Sequence, residues 1–244
     1  MSGPQQHWDA RAAANFMLGG SGSGLMVAAL FIPDPRLAVV LSLVLVATGL
    51  TAVWLEIGRK WRAAHVLFNP FTSWLTRESF AALLLFPLGI GSVLVPATLP
   101  FAAAAALAFL YCQARILRAA KGIAAWRAPE VVALVVFTGL AEGAGLALLF
   151  SAERALVVFF MLAVAGRFLA WRRYRGAVRS AALEPAGRTL AWVGTAAAAA
   201  LVFVPPLAGL AALGAGWRLK FSLVTRAALK QEFSLPHLPV RGTR

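Results

Sequence analysis

The residues of this chain that could do chemistry are few, and most sit where a long apolar run meets a polar one. Asn15, Glu56, His65, Tyr111 and Arg115 all occupy such borders. If the apolar runs are helices of alternating direction, these five fall at about one depth. An amide, a carboxylate, an imidazole and a phenol at a common level can hydrogen-bond the carbonyls of a quinone and exchange its protons, with an arginine helping to orient the ring. The same residue types also serve as helix caps and interfacial anchors, so spacing alone leaves both readings open. Glu142 is a different case. The stretch Thr138-Gly139-Leu140-Ala141-Glu142-Gly143-Ala144-Gly145 puts it about halfway along an apolar run. An ionisable group at that depth is a candidate proton relay, or a carboxyl hydrogen-bonded to a neighbouring helix. Arg218, near the end of the last apolar run, is a candidate partner for a carboxylate.

What is missing narrows the chemistry further. The three histidines, His7, His65 and His237, all lie outside the apolar runs, which argues against a haem held by two membrane histidines. Cys112 is the one cysteine, so this chain alone offers no disulfide and no cysteine-held iron–sulfur cluster or zinc site. Neither a GxxxxGK[ST] loop nor an HExxH motif occurs. The run Gly19-Gly20-Ser21-Gly22-Ser23-Gly24 follows no strand, so it reads as a close helix-packing surface rather than a dinucleotide loop.

The elements that must position these residues follow from composition. Of 244 residues, 61% are hydrophobic and 13% charged. A soluble domain carries roughly half apolar and about a quarter charged residues, so this mixture cannot make both a core and a solvated surface. The chain reads as an integral membrane protein, all-α, and not as a nucleic-acid module despite a net charge of +14. A spanning helix needs about 20 apolar residues. Eight segments qualify: Ala12 to Ile32, Leu37 to Ile57, Ser79 to Val95, Leu99 to Ala114, Pro129 to Phe150, Arg154 to Ala170, Thr189 to Val204 and Leu207 to Ser222. Very short turns link them into four hairpins, which predicts two four-helix bundles, 1–128 and 129–244. Nothing at the start has the compact apolar region of a signal peptide.

With eight spans, the loops on the side of the termini collect all of the 23 Lys and Arg except Arg36 and Arg154. Such an excess marks the cytoplasmic side, so both termini are expected there, in a bacterial or archaeal inner membrane. All eight tryptophans fall toward the same side, four of them in the pairs Trp61-Arg62, Trp126-Arg127, Trp171-Arg172 and Trp217-Arg218. An aromatic belt would place tryptophan on both faces. The surplus suggests a face built to hold more than lipid.

Several stretches resemble the DmsC/NrfD family of membrane anchors. Trp8-Asp9-Ala10-Arg11-Ala12-Ala13-Ala14-Asn15-Phe16, followed by the glycine run, looks like the start of such subunits. Glu56-Ile57-Gly58-Arg59-Lys60-Trp61-Arg62-Ala63 is similar to the family's His-Leu-Gly-x-Pro-x-Arg-Ala segment. Asn69-Pro70-Phe71-Thr72-Ser73-Trp74-Leu75-Thr76-Arg77-Glu78 resembles its Ser-Trp-Leu-Ser-Arg-Glu segment, and Ala114-Arg115-Ile116-Leu117 through Pro129 its polar loop. The opening and the tail, Leu235-Pro236-His237-Leu238-Pro239-Val240-Arg241-Gly242, look most like anchors of phenylacetyl-CoA:acceptor oxidoreductases.

The resemblance implies a quinone-reactive subunit of anaerobic electron transport that does not itself act on the final substrate. It implies ubiquinone or menaquinone as cofactor, with an iron–sulfur partner and, through it, a molybdopterin catalytic partner. Glu56, His65 and Tyr111 are then expected to exchange protons with the quinone, and Asn15 and Arg115 to orient it, while Glu142 and Arg218 are secondary. Glu56 stands where the family usually has histidine, so His65, nine residues on, is the alternative proton-handling group. The rival reading from the residues themselves is a secondary transporter with Glu142 in a proton or substrate pathway.

Overall fold

The computed structural model describes residues 8–56 and 60–228, whose regular elements are all helices, with no strand among them. Eight long helices follow one another: α1 (Ala10–Phe31), α2 (Arg36–Glu56), α3 (Trp74–Leu94), α4 (Leu99–Ala119), α5 (Glu130–Ala147), α6 (Arg154–Ala177), α7 (Glu184–Phe203) and α8 (Pro205–Phe221). Among the described residues, seven of them are long and apolar enough to cross a membrane: α1 to α6 and α8. The first turns of α7 carry Glu184 and Arg188. The eight expected segments are eight helices.

Local chemistry sets the ends. The Asp9 carboxylate accepts from the backbone N–H groups of Arg11 (2.7 Å) and Ala12 (3.3 Å), which caps α1. Ser73 caps α3 by accepting from the Thr76 N–H. Pro96 and Pro205 stand at first-turn positions, where a missing N–H costs nothing. Helix α1 is not uniform: Asn15–Gly19 forms a π turn between two α-helical stretches. Such turns are rare and concentrate at functional sites.

Helices α1 and α5 are the innermost. Two thirds of α1 is buried (67%) against 28% of α2, one of the outer helices. They run side by side because glycines face each other. A Cβ on Gly24 would lie 2.0 Å from the Gly139 carbonyl oxygen, and one on Gly143 would lie 2.0 Å from the Gly24 carbonyl carbon. Gly145 and Gly209 bring α5 and α8 together in the same way. Within the first half α1 packs on α2 and α4, and α3 on α4. Within the second, α5 packs on α6 and α8, and α7 on α8. Contact between α6 and α7 is sparse.

The end of the molecule where α1 begins is the basic end, and there the tryptophans have interior work. Trp126 is fully buried, donates from Nε1 to the Leu223 carbonyl (3.0 Å) and meets Trp8 edge to face at 4.6 Å. Trp171 packs against Gly187, and Trp217 donates to Ser21 Oγ (2.9 Å). Much of the tryptophan surplus thus clamps helix ends together. Trp61 has its side chain outside the described residues.

Candidate functional site

Two polar clusters lie inside the helices, at different depths. The first is at the basic end, where α1, α3 and α4 meet. Asn15 sits on the π turn of α1, Glu78 in the second turn of α3 and Gln113 near the end of α4; all three are buried. Gln113 Nε2 donates to the Asn15 carbonyl (3.0 Å), which fixes the orientation of that amide. The Asn15 and Gln113 side chains stand within hydrogen-bonding reach of the Glu78 carboxyl. Glycine makes the room: a Cβ on Gly19 would lie 2.6 Å from Gln113 Nε2, and one on Gly49 would lie 3.1 Å from Asn15 Oδ1. Three acceptor oxygens remain without a partner among the described residues, namely Asn15 Oδ1, Gln113 Oε1 and Glu78 Oε1. Buried polar atoms in folded proteins are nearly always satisfied; a protonated Glu78 could donate to one of the two amide oxygens, which leaves the other open to a donor from outside the cluster.

An aromatic and cationic layer flanks this cluster. Arg115 Nη1 donates to the Tyr111 hydroxyl (2.7 Å), and its guanidinium lies 4.1 Å from the Trp74 ring centre. Arg77 lies 4.2 Å from the same ring, so Trp74 has two arginines in cation–π contact. Tyr111 meets Trp74 edge to face at 5.9 Å. Arg77 also donates to the carbonyls of Pro70 (2.8 Å) and Phe71 (2.7 Å), and Thr76 Oγ1 to that of Val66. These bonds pin the 60–71 segment, helical from 60 to 68, to the first turn of α3.

Among the residues singled out by sequence, Asn15 lies in the buried cluster, and Tyr111 and Arg115 are bonded to each other in the layer beside it. His65 is exposed on the pinned segment, its ring against Phe68 at 5.6 Å. Glu56 ends α2, and its side chain lies outside the described residues. His7 and His237 also lie outside them.

The second cluster is deeper. Glu142 on α5 forms a buried ion pair with Lys220 on α8, Oε2 to Nζ at 2.6 Å. Ser21 on α1 donates to the same oxygen (2.8 Å) and receives the Trp217 indole N–H. Arg167 on α6, equally buried, donates to the Ala212 carbonyl (2.8 Å) and interacts electrostatically with both members of the pair. Gly20 and Gly216 admit the pair: a Cβ on either would lie within 2.4 Å of Lys220 Nζ (2.2 Å) or Glu142 Oε1 (2.4 Å). Arg218, the partner expected for a carboxylate, is exposed; Lys220, two residues on, faces inward instead.

Sequence reasoning missed Glu78, Gln113, Arg167 and Lys220. The last two were assigned to basic loops although both fall inside apolar segments, and that position was the available signal. Among the described residues no group of three or more His, Cys, Asp or Glu could hold a metal. Comparison with protein-family models and with curated protein sequences finds no match for this chain, so its residues and their geometry carry the functional argument.

Proposed function

We propose that this chain is the quinone-reactive membrane anchor of a molybdoenzyme complex. It would pass electrons between a quinone and an iron–sulfur subunit docked on the basic end. The observation that carries the reading is the cluster of Asn15, Glu78 and Gln113 with its three unpartnered acceptors, set beside the Tyr111–Arg115 pair. A hydroquinone has two O–H groups to give such acceptors, and the amide and guanidinium N–H groups can serve the carbonyls of the oxidised ring. The quinone, when bound, supplies the two-electron redox chemistry. The chain holds the ring, keeps bulk water from it and exchanges protons at the Glu78 carboxyl, with Glu56 or His65 on the path to the aqueous face. Asn15, Gln113 and Arg115 orient the ring.

In this reading all eight helices cross the membrane, with α7 paired to α8, as two four-helix bundles joined along α1 and α5. The basic end faces the cytoplasm of a bacterium or archaeon. Its positive charge complements an acidic iron–sulfur partner and speeds their encounter. A transport reading would rest on Glu142. Its Oε2 is tied to Lys220 and Ser21 while Oε1 has no partner among the described residues, and glycine backbones press around the pair, an arrangement that suits a fixed joint between α1, α5 and α8.

The test uses the assembled complex. Glu78→Gln should lower quinone-coupled turnover by about 10²-fold, the lower range for a lost general acid–base group. Turnover with a soluble dye that accepts electrons at the catalytic partner should be unchanged. Glu56→Gln and His65→Gln, measured alongside, identify the outer proton carrier. Equal loss of dye-coupled and quinone-coupled activity in Glu78→Gln would contradict the assignment.

A further inference from the structure

We propose that the cleft between α6 and α7 is a binding site for an anionic phospholipid of the leaflet at the basic end. Among the described residues α6 and α7 make few contacts, Trp171 on Gly187 and the Arg175–Glu184 pair among them, and deeper in a cleft lies between the two helices. It opens an apolar cavity of about 320 Å³ lined by residues including Phe160, Val164 and Phe168 of α6 and Leu190, Gly194 and Leu201 of α7. Gly194 keeps the α7 wall open, since a Cβ there would meet nothing within 4 Å. Phe168 and Ala191 also line a second hollow nearer the basic end, whose other walls are Trp171, Arg172, Arg175 and Gly187. The two hollows therefore share a wall, the deeper one greasy and the outer one cationic.

The polar groups along the two hollows are ordered as a phospholipid requires. Arg172 and Arg175 are exposed at the mouth, one helical turn apart on α6. Arg175 also pairs with Glu184 at 3.0 Å, which holds its guanidinium in place there, and Arg172 has no carboxylate beside it among the described residues. Arg167 lines the apolar part. It lies about 7.5 Å deeper than Arg172 by helical rise. An acyl chain fits the apolar section, a phosphate fits between Arg172 and Arg175, and the ester carbonyls just below the phosphate come level with the buried Arg167. A basic pocket between membrane helices on the positively charged side is the usual setting for an anionic headgroup. A zwitterionic lipid would bring an ammonium into the same cations. A quinone tail would fill the apolar section and leave the mouth unused.

The inference is independent of the quinone assignment, and the test reads lipid alone. The full chain is placed in nanodiscs of phosphatidylcholine and phosphatidylglycerol in equal amounts, and the lipids it retains are counted by native mass spectrometry. Phosphatidylglycerol should be retained in preference to phosphatidylcholine. The double variant Arg172→Gln/Arg175→Gln, altered only at exposed positions, should lose roughly fivefold of that preference per arginine. Gly194→Phe, which fills the cleft from a position with open space, should release the retained lipid of both kinds. Arg127→Gln, on another loop of the basic end, should change neither. Equal retention of the two lipids by the unaltered chain, or a preference that survives both variants, would overturn the proposal. So would finding quinone in place of phospholipid in the cleft, read as release of quinone rather than lipid by Gly194→Phe.

Discussion

Lys220→Met should destabilise the chain by about 3–5 kcal/mol, the cost of leaving a buried charge without its partner. Lys220 Nζ lies 2.6 Å from Glu142 Oε2 with both side chains out of solvent, and it is the closest cation to that carboxylate. Without it, Glu142 keeps the Ser21 hydroxyl and the more distant Arg167, neither of which replaces a direct ion pair. The pair also joins α5 to α8, and through Ser21 to α1, so the loss falls on the innermost contacts of the fold. The double variant Glu142→Gln/Lys220→Met removes both charges and should recover at least half of the deficit. Unfolding of the four proteins of this cycle in detergent, by heat or by titration with a denaturing detergent, gives the coupling energy directly. A Lys220→Met protein within about 1 kcal/mol of the unaltered chain would mean that the pair contributes little.

Gly143→Ala should cost about 3 kcal/mol, although it adds a single methyl group. The new Cβ would sit 2.0 Å from the Gly24 carbonyl carbon and 2.0 Å from the Leu25 nitrogen. Both neighbours are backbone, so no side chain can swing aside and α1 must move away from α5. That puts the substitution at the upper end of the range for overpacked cores. Moving α1 also shifts Ser21 from Glu142 and Asn15 from Gln113. The contrast is Gly214→Ala on α8, where a Cβ meets nothing within 4 Å. There the gain in helix propensity should leave stability unchanged or raise it by up to about 1 kcal/mol. The same unfolding measurement checks both, and equal effects would remove the argument that α1 and α5 meet through bare backbone.

The fold was legible in the sequence wherever hydrophobicity alone decides the outcome. Eight apolar runs give eight helices, and the proline-marked turns after Phe31, Val95 and Phe203 fall where expected. The errors collect at the basic end. Helix α3 was expected from Ser79 and begins at Trp74; α6 was expected to stop at Ala170 and continues to Ala177; α7 begins at Glu184 rather than Thr189. Apolar character ends at the hydrocarbon edge, but the hydrogen-bonded helix continues into the polar zone, so hydropathy shortens each element there. Glu78 was hidden by that shortening. Gln113 and Lys220 were hidden by the opposite effect, because one polar residue hardly lowers the hydropathy of twenty. The pairing of Glu142 with Lys220, 78 residues apart, depends on how α5 and α8 are rotated about their axes. A periodic pattern does not fix that rotation when glycine and alanine face every side. Asn15 was legible because it stands at the border of the first apolar run, yet the π turn that carries it left no mark in the sequence.

The most direct test of the central claim is purification of the chain from its own membranes in mild detergent, followed by identification of what accompanies it. The account predicts an iron–sulfur subunit, visible by electron paramagnetic resonance after reduction, together with stoichiometric quinone that solvent extraction releases. A chain that purifies without an iron–sulfur partner, or a complex with the partner and no quinone, would contradict it.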